Sequence, residues 1–359
     1  MLDIADFRAG KGGDPEKIKA SEKKRYRDAG LVDEVIALDE EWRKKRGELD
    51  DANQALNKAS KEIGGLIREK KKEEAEEKKK AVVEIKASIV RLKEECTNAE
   101  KERDQKLKTV ANLVHDSVPV HDDEENNRVV KTSGNFKERT GSMKQHHELL
   151  TMINGWESER GVKVLGHRGY FLKGPGLMIS LACLNYGLSF LMKKEYVPIQ
   201  PPYMMRKDVM SNVAQLSQFD EELYGVSDST EEGKYLIATS EQPIGALHQN
   251  EWVDESSLPM RYAGYSTCFR KEAGSSGKDN RGVFRVHQFD KIEQFCITVP
   301  EKSWEELDRM VSCSGEFFDS LGIPYRAVEI VSGALNDAAA KKIDLEVRES
   351  FCPEYESVI

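Results

Sequence analysis

The sequence predicts an α+β protein in which a long antiparallel helical hairpin precedes a domain built on an antiparallel sheet flanked by helices. Two apolar heptad series on either side of a charged block predict the hairpin. A strand, a long polar loop and a second strand between residues 265 and 295 predict the sheet. We therefore expect a helical arm over 1–118, a linker over 119–145 and a sheet domain over 146–359.

The composition fits this arrangement and excludes several classes of protein. At 359 residues the chain can hold two domains, and 33% charged residues indicate a long solvated element. The net charge of −9 means that any nucleic-acid contact must use a local basic surface. The six cysteines are scattered without a CxxC pair, which is typical of a reducing compartment and argues against structural zinc. We expect no membrane-spanning run and no signal peptide, and hence a cytoplasmic protein.

The hairpin prediction depends on apolar residues that recur every three or four positions. Between the two series, the block from Arg68 to Lys80 has one uncharged residue, Ala75. The series are roughly symmetrical about 73–75, which predicts antiparallel helices with their tip in this block. An oligomerising coiled coil is the alternative, because that is the commoner use of heptads. The predicted seam is Val35, Leu38, Trp42, Lys45, Leu49, Ala52, Leu56, Ala59, Ile63 and Leu66, then Val82, Ile85, Ile89, Leu92, Cys96, Ala99, Arg103, Leu107, Val110 and Val114.

The middle of the chain predicts a helix start, an apolar helix and an extended segment. A helix is expected to open at His146 and His147, which lie about 100° apart on a helix and are poor joint ligands for one metal. The apolar run 177–192 predicts a helix of about four turns. Residues 196–202 are expected to be extended, since residues before proline avoid helix.

A short polar segment offers groups suited to a small amino acid. A strand over 235–238 is followed by Thr-Ser-Glu-Gln-Pro and a predicted helix over 244–250. If the strand continues, Thr239 and Glu241 lie on one side and supply a hydroxyl and a carboxylate. The alternative is a helix cap, because Ser or Thr with a nearby Glu is a common helix start.

The predicted strand pair offers groups suited to a nucleotide. Its first strand is expected to end with Arg270 and Glu272 on one face, and its second to start at Arg285. Alternation places Arg285, Phe289 and Glu293 on one face of the second strand. Arginines suit polyphosphate, an aromatic ring suits a purine and carboxylates suit an amine. The alternative is a polar strand pair with surface salt bridges.

These segments resemble a known family. The run Phe269-Arg270-Lys271-Glu272, the loop after it and Arg285-Val286-His287-Gln288-Phe289 resemble motif 2 of class II aminoacyl-tRNA synthetases, in the form found in seryl-tRNA synthetases. The apolar helix and the extended segment ending at Pro202 resemble motif 1, and the Thr-x-Glu run resembles the serine-binding loop. The resemblance implies a class II synthetase-type antiparallel sheet behind a tRNA-binding arm.

The resemblance also implies a function. A serine–tRNA ligase uses ATP with Mg²⁺ to form seryl-adenylate and transfers the seryl group to the 3′ end of serine tRNA. The family implies a homodimer through the motif 1 region and an arm that contacts the long variable arm of the tRNA. No membrane partner is expected, because no membrane-spanning run was predicted. By the same resemblance, Thr239 and Glu241 hold L-serine, and Glu293 binds its ammonium group. Arg270 bridges the serine carboxylate and the α-phosphate of ATP. For the rest of ATP, Glu272 contacts the adenine amine, Phe289 stacks on the adenine ring, and Arg285 lies against the γ-phosphate. Arg270, Glu272 and Arg285 are thus the catalytic candidates, Lys278 and Arg281 lie in a loop that moves between ATP and the tRNA acceptor end, and no residue is assigned to a metal.

The resemblance is expected to stop at Glu346. Residues 341–346 are similar to the KYDLE-type strand of the family, but the segment from Val347 onward departs from its pattern. We therefore expect the chain to lack motif 3, whose arginine clamps ATP, and the metal-binding carboxylate, so that the sheet is incomplete. The alternative function is a catalytically inactive truncated synthetase-like chain that binds tRNA or an intact subunit.

Overall fold

The computed structural model describes residues 2–135, 144–214, 222–227, 233–272 and 282–347, and the backbone of 356–357. The chain forms two compact units, Met1–Val130 with Val328–Asp344, and Lys131–Ala327 with Leu345–Ile359. The domain limits expected from the sequence, at 118 and 146, stay predictions.

Helices and strands alternate along the second unit, whereas the first is mainly helical. The helices are α1 (Pro15–Lys24), α2 (Gly30–Arg68), α3 (Lys72–Leu107), α4 (His146–Met152), α5 (Glu159–Leu165), α6 (Pro175–Lys193), α7 (Lys207–Met210), α8 (Glu241–Gly245) and α9 (Ser303–Ser320). The strands are β1 (Arg128–Ser133), β2 (Trp156–Glu157), β3 (Phe171–Leu172), β4 (Val197–Ile199), β5 (Met204–Arg206), β6 (Gly225–Val226), β7 (Lys234–Leu236), β8 (Met260–Phe269), β9 (Gln288–Ile297), β10 (Tyr325–Glu329), β11 (Ile343–Val347) and β12 (Glu356–Ser357).

Helices α2 and α3 form the predicted antiparallel hairpin. Lys106 pairs with Glu34 near the base and Lys78 with Glu62 near the tip, as antiparallel neighbours must. Every residue of the predicted seam is buried or partly buried, because the two helices shield that stripe from water. The connection at 69–71 lies inside the charged block, slightly before the predicted tip.

The base of the hairpin is closed by the N-terminal residues and by one buried arginine. Phe7 and Ile18 pack with Val32, Val35, Leu107 and Val110 in one apolar cluster. Burial lowers the pKa of Arg25, whose guanidinium donates to backbone carbonyl oxygens that replace its lost water. Those carbonyls belong to Asn112, Leu335, Asn336 and Ala339.

A three-stranded sheet in the second unit carries the predicted binding segments. Its order is β4-β8-β9, with β4 parallel to β8 and β8 antiparallel to β9. Strand β8 ends at Phe269 and β9 begins at Gln288, so both strands are shorter at the loop than the sequence pattern suggested. The reason is local: Glu272 has φ +49° and Gly282 has φ +86°, and both turn the chain out of the ladder. In the described part of the chain β9 is an edge strand of this sheet, and the expected loss of motif 3 stays a prediction.

Helix α6 confirms the predicted apolar helix and corrects one expectation. It has 19 residues and contains an 18-residue window with a mean hydropathy of 1.4, so by length and composition it could cross a membrane, although no such run was expected. One such helix is weak evidence for a membrane. Only 17% of its apolar window is buried within this chain. Strand β4 follows within the segment predicted to be extended, and α4 begins at His146 as expected.

Candidate active site

The floor of the candidate site is set by the register of β8 and β9. Residues directly opposite one another in an antiparallel pair project from the same face. Small residues of β8 stand opposite the functional residues of β9, so β8 itself places no large side chain beside them. The pairs are Gly264 with Glu293, Ser266 with Lys291 and Cys268 with Phe289.

Gly264 also allows a second segment to approach this face. A Cβ atom at Gly264 would lie 2.6 Å from both Ser240 Oγ and Ile244 Cδ1. The absence of a side chain therefore lets the turn before α8 lie directly against the strand. In the sequence, small residues at 264, 266 and 268 alternate with Tyr265 and Thr267, and this alternation marks the floor of the site.

Glu293 is the centre of a dense hydrogen-bond network. Its Oε2 atom accepts from Thr239 Oγ1 at 2.6 Å, from Ser240 Oγ at 2.7 Å and from the Glu241 N–H at 2.8 Å. Its Oε1 atom accepts from Lys291 Nζ at 2.6 Å. Burial by itself would raise the pKa of Glu293, but the Lys291 ammonium and the hydroxyl donors outweigh it, so the pKa is lowered. The structure thus brings together the predicted serine-site residues Thr239, Glu241 and Glu293.

Lys291 was given no role in the sequence analysis, although it lies on the predicted face of β9. Its Nζ atom donates to Glu293 and, at 2.7 Å, to Thr239 Oγ1. It therefore balances one of the two carboxylates in the site. The alternation from Phe289 to Glu293 placed Lys291 on the same face as these residues. Alternation alone does not determine whether the lysine faces water or a carboxylate.

Glu241 differs from Glu293 in its surroundings. Partial burial, and then the negative charge of Glu293, raise the pKa of Glu241, while Lys291 opposes this shift. Its side chain keeps a solvent-exposed part. A carboxylate in this state gains from a cationic ligand, because the ligand would offset both the partial burial and the repulsion.

The turn from Thr239 to Glu241 is not an extension of β7. Strand β7 ends at Leu236 and α8 begins at Glu241, so the expected strand alternation and the helix start at Ile244 were both wrong. Ser240 occupies the N-cap position without a side-chain cap, since its hydroxyl donates to Glu293 instead. The Thr239 hydroxyl does accept from the Glu241 N–H at 3.3 Å, so the capping alternative holds in part for Thr239 but not for Ser240.

Arg270 and Phe289 lie together at the end of the strand pair. The Arg270 guanidinium is 5.2 Å from the centre of the Phe289 ring, and its Nε donates to Ala238 O at 3.4 Å. The backbone of Arg270 is fixed by a hydrogen bond from its N–H to His287 O at 3.0 Å. A cation and a ring face are thus held together beside the carboxylate network.

Glu272 lies between two arginines. Its Oε2 atom is 3.6 Å from Arg285 Nη1 and 3.7 Å from Arg168 Nη1. Arg285 is about half exposed, whereas the Arg168 side chain is only 3% exposed. The predicted residues Lys278 and Arg281 fall outside the described residues.

His146 contacts Val283 and Phe284, which lie in the loop just before β9. Its Nε2 atom accepts from the Val283 N–H at 3.2 Å, and its ring meets that of Phe284 edge to face at 4.1 Å. It lies at a helix start, as expected. No group of three His, Cys, Asp or Glu side chains that could hold a metal occurs in the described part of the chain.

Comparisons with known proteins agree with this geometry. Residues 1–114 match the family "Seryl-tRNA synthetase N-terminal domain", and residues 224–357 match "tRNA synthetase class II core domain (G, H, P, S and T)". The cytoplasmic serine–tRNA ligases of Candida albicans and Saccharomyces cerevisiae are 53% and 49% identical to the chain, over all of it and 80% of each relative. The chain belongs to the seryl-tRNA synthetase family.

Solved structures of this family match the fold as well. The cytoplasmic serine–tRNA ligase of Naegleria fowleri in complex with AMP has a TM-score of 0.86 and 47% identity, over 99% of this chain and 82% of that one. The seryl-tRNA synthetase of Pyrococcus horikoshii complexed with ATP has a TM-score of 0.86 and 35% identity, over 100% of this chain and 83% of that one. These matches confirm the predicted fold and family.

Family membership settles the broad function. Seryl-tRNA synthetases are class II aminoacyl-tRNA synthetases, and this chain is a ligase of that class, which charges tRNA with serine in translation. Cytoplasmic relatives confirm the expected location. The match along the whole chain favours the ligase over the inactive synthetase-like alternative. The core family also continues to residue 357, past the expected end of the resemblance at Glu346.

Proposed function

We propose that this chain forms seryl-adenylate at the face of β8 and β9 and transfers the seryl group to serine tRNA. The carboxylate oxygen of serine attacks the α-phosphorus of ATP, the bond to the β-phosphate breaks, and pyrophosphate leaves. A ribose hydroxyl of the tRNA then attacks the acyl carbon, and AMP leaves. The observation that carries the proposal is the Glu293–Lys291–Thr239 network, which lies on the same strand face as Phe289.

The protein contributes position and charge rather than a covalent nucleophile. We assign Arg270 to the serine carboxylate and the α-phosphate, where its charge stabilises the negative charge that develops. Phe289 offers its ring to adenine and Glu272 accepts from the adenine amine. Arg285, which is about half exposed, can turn to the γ-phosphate. These assignments follow the family resemblance and agree with the contacts described above.

The hydrogen-bond count favours Glu241 as the partner of the serine ammonium. Both oxygens of Glu293 already accept protein donors, three at Oε2 and one at Oε1. Glu241 has a raised pKa and an exposed part, which suits a carboxylate that gains a cation on binding. We therefore assign the ammonium to Glu241, and we assign to Glu293 the fixing of Thr239 and the turn.

Mg²⁺ is proposed to enter with ATP. It prefers phosphate oxygens and water, and needs few protein ligands. In this proposal its ligands are the phosphate oxygens of ATP and water, and Arg285, which is about half exposed, would contact other oxygens of the same phosphates. Bound there, the ion would neutralise charge on the phosphates.

A substrate lacking the amine tests the division between the two carboxylates. Glycerate carries a hydroxyl where serine carries its ammonium. For Glu241→Gln we expect about tenfold weaker serine binding but unchanged glycerate binding, measured by calorimetry or by inhibition of serine-dependent pyrophosphate exchange. Glu293→Gln should weaken both ligands alike. Equal losses for both ligands in Glu241→Gln would reject the assignment of the ammonium.

We also propose that the protein is a homodimer through α6. Large apolar residues project from this helix into solvent, among them Leu177, Met178, Ile179, Leu181, Tyr186 and Met192. An exposed apolar surface of this extent on a helix is typical of an interface. Sedimentation of Met178→Glu should give a monomer, with Lys193→Glu, at the end of the same helix, as the control that stays dimeric.

The α2–α3 hairpin is proposed to bind the long variable arm of serine tRNA. Its exposed lysines can contact phosphates through charge, which gives binding that weakens with salt. Gel-shift titration should show strong loss of affinity for a serine tRNA without its variable arm. Equal affinity for both tRNAs would reject this role.

A further inference from the structure

A buried arginine, Arg168, lies beside Glu272, the residue predicted to contact adenine, although it does not belong to the β8–β9 strand pair. Arg168 belongs to the segment between α5 and β3, and its Nη1 atom is 3.7 Å from Glu272 Oε2. Its side chain is 3% exposed, against 47% for Arg285, the other arginine near the same oxygen. No sequence motif assigned a role to Arg168, and the proposed function does not use it.

The backbone around Arg168 is fixed by close packing. A Cβ atom at Gly161 would lie 2.4 Å from Tyr170 Cα, and one at Gly169 would lie 2.4 Å from Gly161 O. Arg168 itself has φ +64°, a conformation that persists only where the surroundings impose it. Tyr170 OH donates to Gln288 O at 3.4 Å and so ties the segment to the start of β9. Arg168 is therefore held on a rigid support beside the hairpin.

The two arginines near Glu272 differ in what they can do when ATP binds. Arg285 is accessible, and in the proposed function it moves to the γ-phosphate. Arg168 is buried and held by its backbone, so it stays beside the carboxylate. Once Arg285 has turned to the phosphate, Arg168 still lies beside Glu272 and can continue to orient it.

We propose that Arg168 is a positioning residue that fixes Glu272 for recognition of the adenine amine and so supports the selection of ATP over GTP. An ionised carboxylate can only accept hydrogen bonds. Adenine presents an amine donor at the position where guanine presents a carbonyl acceptor. A carboxylate held toward that position therefore attracts adenine and repels guanine, whereas a carboxylate that can turn away loses this selection. The inference rests on the proposed role of Glu272.

Equilibrium binding of ATP and GTP to the whole chain without serine tests the proposal by calorimetry. For Arg168→Met we expect about tenfold weaker ATP binding, GTP binding unchanged or tighter, and unchanged serine binding. Arg168→Lys should fall between this variant and the wild type. Arg160→Met is the matched control, because Arg160 lies on α5 nearby with a 77% exposed side chain. It should bind both nucleotides as the wild type does.

A double substitution separates positioning from a general structural effect. Glu272→Gln alone should weaken ATP and reduce its preference over GTP, and adding Arg168→Met should then change little. Equal weakening of ATP and GTP by Arg168→Met, a normal ATP affinity, or additive effects with Glu272→Gln would each overturn the inference. If Arg168→Met does not reach the native circular dichroism spectrum, Arg168→Lys decides, and an unchanged ATP/GTP ratio overturns it.

If the proposed role of Glu272 is wrong, the nucleotide affinities of the variants will differ from those expected above. If Glu272→Gln keeps the wild-type affinity for ATP, Glu272 does not contact adenine, and both the proposed role and this inference fall. If Glu272→Gln weakens ATP but neither Arg168 variant alters the ATP/GTP ratio, the role of Glu272 stands and only the inference about Arg168 falls.

Discussion

Replacing Lys291 with methionine removes the counter-ion of a carboxylate in the active site. The wild-type ammonium donates at 2.6 Å to Glu293 and at 2.7 Å to Thr239. Methionine fills a similar volume but offers no donor. Glu293 then keeps its hydroxyl and amide donors while its charge has no partner, and the balance of effects on its pKa shifts toward burial, which raises it.

The size of the effect follows from the burial of the two side chains. Breaking a fully buried ion pair by removing one partner costs about 3–5 kcal/mol. Here Lys291 is 28% and Glu293 18% exposed, so water partly replaces the lost donor. We expect the free energy of unfolding to fall by about 2 kcal/mol at neutral pH.

The loss of stability in Lys291→Met should depend on pH. Because the folded-state pKa of Glu293 is lowered in the wild type, its ionisation stabilises the fold above the unfolded pKa, and this contribution is lost as the pH falls through the folded value. In Lys291→Met the stabilisation is absent, so the difference between the two proteins should be largest near pH 7 and shrink in acid.

Urea denaturation at pH 7.5 and at pH 5 or below measures both quantities. Lys302→Met is the control, since Lys302 forms an exposed pair with Glu305 and should change stability by less than about 0.5 kcal/mol. A Lys291→Met protein within 0.5 kcal/mol of the wild type at pH 7.5, or a difference that grows in acid, would refute the reasoning.

Three further predictions concern other parts of the structure. Gly282→Ala should weaken ATP binding several-fold by calorimetry, because the new Cβ would lie 1.8 Å from His146 Nε2 at φ +86°, and His146→Ala should partly restore it. Arg25→Met should lower the free energy of unfolding in urea by about 3 kcal/mol, because buried carbonyls lose a charged donor, whereas Lys24→Met at an exposed pair should change it little. Serine affinity should fall in calorimetric titrations as the pH drops through the raised pKa of Glu241, which must be ionised to take the ammonium, and Glu241→Gln should flatten this profile.

Each of these predictions has an outcome that contradicts it. Unchanged ATP affinity in Gly282→Ala would mean that the loop end does not position the hairpin. Equal destabilisation by the Arg25 and Lys24 substitutions would remove the special role of the buried guanidinium. A serine profile that keeps its shape in Glu241→Gln would assign the titration to another group.

The helical arm was well predicted because its geometry is local. An α-helix repeats every 3.6 residues, so the seam from Val35 to Leu66 could be identified from spacing, and the charged block marked the turn. The apolar helix α6 was predicted for a similar reason. Its length and composition were underestimated as a membrane signal, because a helix at an interface and a helix in a bilayer share the same apolar residues.

The ends of the motif 2 hairpin were predicted less well. Alternation alone extended β8 to Glu272 and began β9 at Arg285, but the ladder ends where Glu272 and Gly282 take positive φ. Backbone conformation at such positions depends on the loop and its neighbours, which periodicity does not describe. The prediction that the strand continues from Thr239 to Glu241 was wrong for a similar reason, because strand β7 already ends at Leu236.

By itself, the sequence determined the arm, the polar strand pair and, through its motifs, the family. These depend on residue type and spacing along the chain. Only the tertiary structure decided that Lys291 is the counter-ion of Glu293 and that the hydroxyls of Thr239 and Ser240 donate to that carboxylate. It also decided that Arg168 lies beside Glu272. Those contacts join residues far apart in the chain, and the energies of charged groups depend on distance and burial, which exist only after folding.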